Sequence, residues 1–411
     1  MFREARLPNG LEIVAECNDD VHSSAVGFFV RTGARDETDE VAGVSHFLEH
    51  MMFKGTPTRS AADVNREFDE LGAHYNAFTS EENTVYYAAV LPEYQDRAVA
   101  LLGDILRPSL RPDDFDTEKQ VILEEIKMYE DQPPYGADEK VKAAYFGNHP
   151  LGRSVLGSLE SVGALSAEQM RAYFDSRYSP GNITLVATGR IDFDALVETA
   201  AKACGHWSMV PATRTIDPAT PHPGFGCLEK QSAAQEYALQ LAAAPAAADA
   251  DRFAAKLLTV ILGDDSGSRL YWELTDPGRA EHVSLSHYDY LGAGLFMTYL
   301  ACDPQLVADN LARIERVYRE IEASGPTELE LEQAKRKINS RVVLGSEKPR
   351  SRLFSVGMNW VQRGEYRTVK EDLDAVARLT RDDLVAVLKS YPLTRNHTLA
   401  VGPLERLDNA G

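Results

Sequence analysis

Three side chains in the stretch GVSHFLEHMMFKGT, residues 43–56, have the type and spacing to do metal chemistry together. In a helix, positions i, i+3 and i+4 share a face, so His46, Glu49 and His50 project together, as does Phe53. Two neutral imidazoles on one rigid element can hold one Zn2+, and Glu49 would then reach a water beside the ion. The order HxxEH reverses HExxH and gives nearly the same constellation with the helix direction inverted. Two hydrogen-bonded core histidines on an apolar helix are the competing explanation, which the motif alone does not exclude.

A catalytic Zn2+ takes three protein ligands and keeps one position open. The best source of a third is FDTEKQVILEEIKMYEDQPP, residues 115–134. Glu118, Ile122, Glu125 and Tyr129 fall on one stripe of that helix. Glu118 is near the start, where acidic residues also suit the helix dipole. Glu125 is mid-helix, where capping does not explain it. Glu124 lies about 100° away around the helix, on a side better suited to solvent.

The elements that must position these residues follow from pattern. Strands are expected near 11–16 (LEIVAE) and 24–31 (SAVGFFVR), after the turn signal PNG. Helices are expected over 40–53 and 60–71, the second capped by Ser60 and stopped by Gly72. AHYNAFTSEENTVYYAAVL reads as strand, polar turn and strand, and helices follow over 93–107 and 113–131. Strands and helices without regular βαβ alternation indicate an α+β sandwich.

The chain also repeats itself. Residues 162–188 align without gaps on residues 376–402 at an offset of 214, matching Val162 with Val376, Met170 with Leu384 and Asn182 with Asn396. Each copy reads as a Ser or Thr cap, an amphipathic helix, a Pro-containing turn and a short strand. The Pro-rich stretch 208–226 separates the copies. Two domains are therefore expected, a metal-binding one over 1–215 and a duplicate over 216–411. The same offset sets Val260, Gly263 and Asp264 opposite His46, Glu49 and His50, so the duplicate is expected to lack the metal. His282 and His287 are five apart in a strand-like stretch and would face opposite sides.

Composition excludes other classes. Asp and Glu number 63 against 43 Lys and Arg, a net charge of −20. Nucleic acid needs a basic footprint, so binding to it or cleaving it is disfavoured. No run of about 18 apolar residues is present to span a membrane. Cys17, Cys204, Cys227 and Cys302 form no CxxC motif and suit a reducing compartment. The N-terminus carries no signal-peptide pattern. A bacterial cytoplasmic location is expected on that basis, although a segment removed beforehand would leave the same sequence.

HFLEHMMFKGT, GAHYNAFTSEENTVYYA and EKQVILEEI, in that order, resemble the pitrilysin family of inverzincin metallopeptidases, which includes insulin-degrading enzymes and mitochondrial processing peptidases. The likeness covers most of the chain and is strongest over residues 8–130. The ending LAVGPLERL resembles the β-type subunit of the processing peptidases. The resemblance implies an α+β fold of two duplicated α/β-sandwich domains, each an antiparallel-rich sheet with helices on one face. It implies one Zn2+ per chain held by His46, His50 and Glu125, Glu49 as general base, and Glu118 as a further acidic residue close to the ion. It implies that Asn76, Ala77 and Phe78 form the strand that meets substrate, an extended peptide pairing along its edge.

The implied activity is that of a zinc endopeptidase acting on peptides or unfolded segments. Family members often carry an Arg and a Tyr in a segment resembling residues 268–284, where this chain has Thr275 and Glu281. That departure, and a length of one half of the full pitrilysins, imply a dimer enclosing a chamber. The partner would be a homologous metal-free subunit, or a second copy. The alternative is a non-catalytic structural subunit like the core subunits of the respiratory cytochrome complex.

Overall fold

The computed structural model describes residues 1–407. The chain opens with β1 (Phe2–Arg6), β2 (Glu12–Cys17) and β3 (Ser24–Val30). Next come α1 (Val44–Met51), α2 (Ala61–Glu70) and the hairpin β4 (His74–Thr79) and β5 (Thr84–Val90). The helices α3 (Gln95–Ile105), α4 (Pro112–Asp131), α5 (Ala137–Phe146), α6 (Leu159–Ala164) and α7 (Ala167–Arg177) lead to β6 (Ile183–Gly189) and α8 (Phe193–Cys204). The second half begins with β7 (Gly224–Glu229), β8 (Glu236–Ala243), α9 (Arg252–Gly263), β9 (His282–Tyr290) and β10 (Ala293–Cys302). It ends with α10 (Val307–Ser324), α11 (Glu328–Ser346), α12 (Pro349–Arg363), α13 (Val369–Arg378), α14 (Arg381–Ser390) and β11 (Asn396–Gly402).

The duplication is visible in the strand order. The first sheet runs β1-β2-β6-β3-β5-β4 and the second β7-β11-β8-β10-β9. From β2 onward the two orders correspond strand for strand. In each sheet one pair is parallel, β2 with β6 and β7 with β11, and the remaining pairs are antiparallel. Both copies of the aligned helix are closed by a capping box, at Ser166 for α7 and at Thr380 for α14. The hydroxyl of each cap accepts the N–H three residues on, as the Ser/Thr pattern predicts.

The chain divides into two compact units that are not contiguous halves. One comprises residues 1–128, 153–215 and 344–367, and the other 129–152, 216–343 and 368–411. The break after Thr215 lies where the Pro-rich stretch predicts one. The expectation of 1–215 and 216–411 leaves out the exchanged pieces. Each unit takes a helix from the other half of the sequence, α12 in the first and α5 in the second.

Those helices add to the expected sandwich. In the first unit, Val26, Phe28 and Val30 of β3 join the core that includes Phe47, Leu48 and Leu102 of α1 and α3. The alternate residues Ala25 and Phe29 point to the other face and pack with Leu353 and Val356 of α12. In the second unit, α9, α10 and α14 cover one face of the sheet, while α5 packs with Tyr237, Leu239 and Leu241 on the other. Both faces of each sheet are therefore covered, and the central strands β3, β6 and β8 bury both sets of side chains.

The α12 interface is close and partly ionic. A Cβ on Gly357 would stand 2.3 Å from the Phe29 ring, so only glycine lets the helix approach there. On the same face Arg352 holds Glu16 by two bonds (2.6 and 2.8 Å) and Tyr366 adds a third of 2.6 Å. Gly357→Val is expected to destabilise the protein by about 1–3 kcal/mol through overpacking. A denaturant midpoint equal to that of the parent would show that α12 does not rest on Phe29.

Candidate metal centre

The candidate residues sit on two helices of the first unit. Helix α1 is eight residues long and follows Gly43, whose φ of +91° makes it start later than the expected 40–53 helix. The preceding residues 39–41 form a separate 3-10 turn. Phe47, Leu48 and Met51 of α1 are buried in the core, which fixes the helix by its apolar side. Helix α4 anchors through Phe115, Ile122 and Ile126, and Phe115 stacks on Phe47 with ring centroids 4.8 Å apart.

That packing brings the donors together. Nε2 of His46 is 3.9 Å from Oε2 of Glu125, and Nε2 of His50 is 3.6 Å from the same oxygen. All three donor atoms lie within 4.8 Å of one another. Zinc–ligand bonds of 2.0–2.2 Å in tetrahedral array place donors roughly 3.4 Å apart, so the set fits Zn2+ after a small contraction. Among the described residues it is the only group of three His, Cys, Asp or Glu side chains so placed. Glu124 is exposed and pairs with Lys127 at 2.7 Å.

The two imidazoles differ in protonation. Burial, with a smaller contribution from His50, lowers the His46 pKa to about 4, so this imidazole is neutral near pH 7. Burial would lower His50 as well, but its bond to Glu118 and the nearby carboxylates Glu125 and Glu49 raise it overall. Nδ1 of His50 lies 2.9 Å from Oε1 of Glu118. With the proton on Nδ1, His50 donates to Glu118 and keeps its Nε2 lone pair for a metal. Burial raises Glu118, yet the bonds from His50 and Lys54 outweigh it and hold the carboxyl below its usual range. Glu118 thus stands behind His50 and does not join the donor set.

Glu49 occupies the same helix face. Burial raises its pKa, against the hydrogen bond from Thr79. Oγ1 of Thr79 donates to Oε2 of Glu49 at 2.6 Å.

The three substrate candidates lie on β4, the edge strand of the first sheet. They do not share one face. Ala77 is buried in the core beside α1, whereas Phe78 packs with Phe354 of α12 on the opposite side, ring centroids 5.7 Å apart. Asn76 is exposed, and its Oδ1 accepts the Ala77 N–H at 2.9 Å.

In the second unit Val260 and Gly263 lie in α9. Asp264, set opposite His50 by the repeat, is held by Lys337 at 2.7 Å and by Arg341. Thr275 closes the short helical turn 271–275, and Glu281 bonds Gln235.

Sequence reasoning missed two supporting residues. Nζ of Lys54 contacts Oε2 of Glu118 at 2.5 Å. Its position four after His50 was a usable signal. Thr79 lies two residues after Ala77, and strand alternation alone would have placed it on the side of α1.

Sequence comparison settles the lineage. The sequence model of the insulinase family, peptidase family M16, matches residues 12–159, and that of the M16 inactive domain matches residues 164–338. A zinc protease of Mycobacterium tuberculosis, itself uncharacterized, is 34% identical over 98% of this chain and 93% of its own length. The chain belongs to the insulinase family. An uncharacterized zinc protease of Bacillus subtilis is 31% identical over 92% of this chain and 93% of its own. Among solved folds, a protease from Helicobacter pylori superposes with a TM-score of 0.91 at 19% identity, covering 98% of this chain and 99% of that one. A putative M16-like peptidase from Alicyclobacillus acidocaldarius gives 0.86 at 23% identity, with 98% of both chains covered. The two-domain M16 fold implied by the motifs is thereby borne out.

If Lys54 and Glu118 orient His50, Lys54→Met and Glu118→Gln should each weaken Zn2+ binding by roughly 10–100-fold. Competition with a chromogenic chelator measures this, and parent-like affinity in both variants would remove the two residues from the site.

Proposed function

We propose that the chain is a zinc-dependent endopeptidase that cleaves peptides or extended, unfolded segments. The convergence of His46, His50 and Glu125 within 4.8 Å, with Glu49 on the same helix face, carries this reading. The relatives named as zinc proteases support it.

A Zn2+ held by these three side chains would polarise the scissile carbonyl and acidify a water. The chain's own groups do the rest. Glu49 accepts a proton from the attacking water and returns it to the leaving amine nitrogen. Thr79 holds Glu49 by one oxygen and leaves the other for that transfer. Glu118 holds His50 in the tautomer that leaves Nε2 available. The free edge of β4 receives an extended peptide through backbone hydrogen bonds, with Asn76 and Ala77 at the contact and Phe78 supporting the strand from behind. An extended strand is the required substrate shape, so a folded protein cannot enter.

The same proposal includes a dimeric chamber. Thr275 and Glu281 stand where family members often carry an Arg and a Tyr, so a homologous metal-free partner is favoured over a second copy. No helix of the described residues is long and apolar enough to cross a membrane. A cytoplasmic location rests on the bacterial sources of the relatives.

Glu49→Gln is expected to keep one Zn2+ per chain and lose roughly 10²–10⁴-fold in cleavage of a quenched fluorescent peptide. Thr79→Val should lower kcat while leaving Zn2+ affinity unchanged. Chelation should abolish cleavage, and Zn2+ should restore it. A wild-type chain without zinc or cleavage, alone and with its co-purifying partner, would leave the structural-subunit reading instead. Light scattering on the eluting species separates the partner options, because full activity as a monomer contradicts the chamber.

A further inference from the structure

The two histidines are held differently. His50 has Glu118 on its second ring nitrogen, and Lys54 behind that. Nδ1 of His46 is buried and has no hydrogen-bond partner. The position of the His46 ring therefore depends on apolar packing and on its own backbone, the first turn of α1.

That turn lacks an ordinary cap. The first N–H groups of any helix have no partner within it, and a Ser, Thr, Asp or Asn before the helix usually supplies one. Here the preceding residue is Gly43, with φ +91° and no side chain. A Cβ there would lie 2.6 Å from the Leu156 carbonyl oxygen, so no capping residue fits.

The missing acceptor comes from Glu37. Its Oε2 takes the Gly43 N–H and its Oε1 the Ser45 N–H, both at 2.7 Å. Glu37 is 3% exposed, and burial pushes its carboxyl up to about 7 even against these two bonds. The Ser45 hydroxyl continues the contact to Tyr173, which also meets Thr32. Such a buried carboxylate is costly unless several donors satisfy it, and here the donors are the N–H groups flanking the start of α1.

We propose that Glu37 is the positioning residue for His46: by capping the first turn of α1 from outside the helix, it sets the affinity of the site for Zn2+. The inference rests on the zinc reading of the site. Release of that turn frees the His46 ring to leave its place beside His50 and Glu125, while His50 stays tethered to Glu118.

The test is Zn2+ affinity of the full chain, measured by chelator competition below the melting temperature of each variant. Glu37→Gln keeps the shape but replaces one acceptor oxygen with an NH2 group. Glu37→Asp keeps the charge but is too short to meet both N–H groups. Each is expected to bind Zn2+ roughly 10-fold or more weakly, and the visible spectrum of the Co2+-loaded variants should show a changed coordination geometry. Tyr173→Phe removes a hydroxyl from the same buried cluster without touching either N–H. It should lower thermal stability and leave Zn2+ affinity and the Co2+ spectrum as in the parent. Parent-like affinity in both Glu37 variants overturns this inference alone. An equal loss of affinity in Tyr173→Phe also overturns it, by reducing Glu37 to general stability. A parent chain that binds no Zn2+ overturns the zinc reading and this inference together.

Discussion

Two helices have to be locked together to well under an ångström if an eight-residue α1 and a carboxylate 75 positions further on are to share one ion. The stacked pair Phe47 and Phe115 does much of this. It packs α1 against α4, and the faces next to that contact then present His46, His50 and Glu125 to one another. An aromatic contact with no chemical role thus determines whether the chemical residues meet.

Charge is the second constraint. Glu49, Glu118 and Glu125 stand near one another beside buried apolar surface, where uncompensated carboxylates are expensive. The structure treats the first two differently. Glu118 keeps its charge because His50 and Lys54 contact it, whereas burial raises Glu49. In the proposed hydrolysis Glu49 would be the base, with a raised affinity for a proton, beside a neighbour that stays ionised.

The duplicated scaffold shows how one sheet design serves two ends. The strand orders correspond, and each sheet has a far-face helix drawn from the other half of the sequence. Yet where the first copy gathers imidazoles, the second has Val260, Gly263 and an Asp264 tied to Lys337 and Arg341. A carboxylate already bonded to two cations has little left to offer a metal. The fold is retained because its core pattern is retained, and the site depends on a few side chains that packing does not require.

By itself the sequence determined what local physics controls. Helical periodicity put His46, Glu49 and His50 on one face, the capping pattern marked α2, α7 and α14, and prolines marked the break near residue 215. Helix-face spacing favoured Glu125 over Glu124, and motif resemblance supported the same choice. Tertiary structure decided what depends on groups far apart in the chain. It showed that α5 and α12 pack on sheets built from the opposite halves, because a helix carries no signal of which of two similar sheets will cover it. It set Phe78 on the side of its sheet away from α1, and it brought Glu37, Lys54 and Thr79 to α1, Glu118 and Glu49, the groups that they hold. Those contacts are hydrogen bonds across loops and between elements: helix and strand periodicity pointed to the sides on which Lys54 and Thr79 lie, but not to the partners they hold, and no local pattern pointed to Glu37.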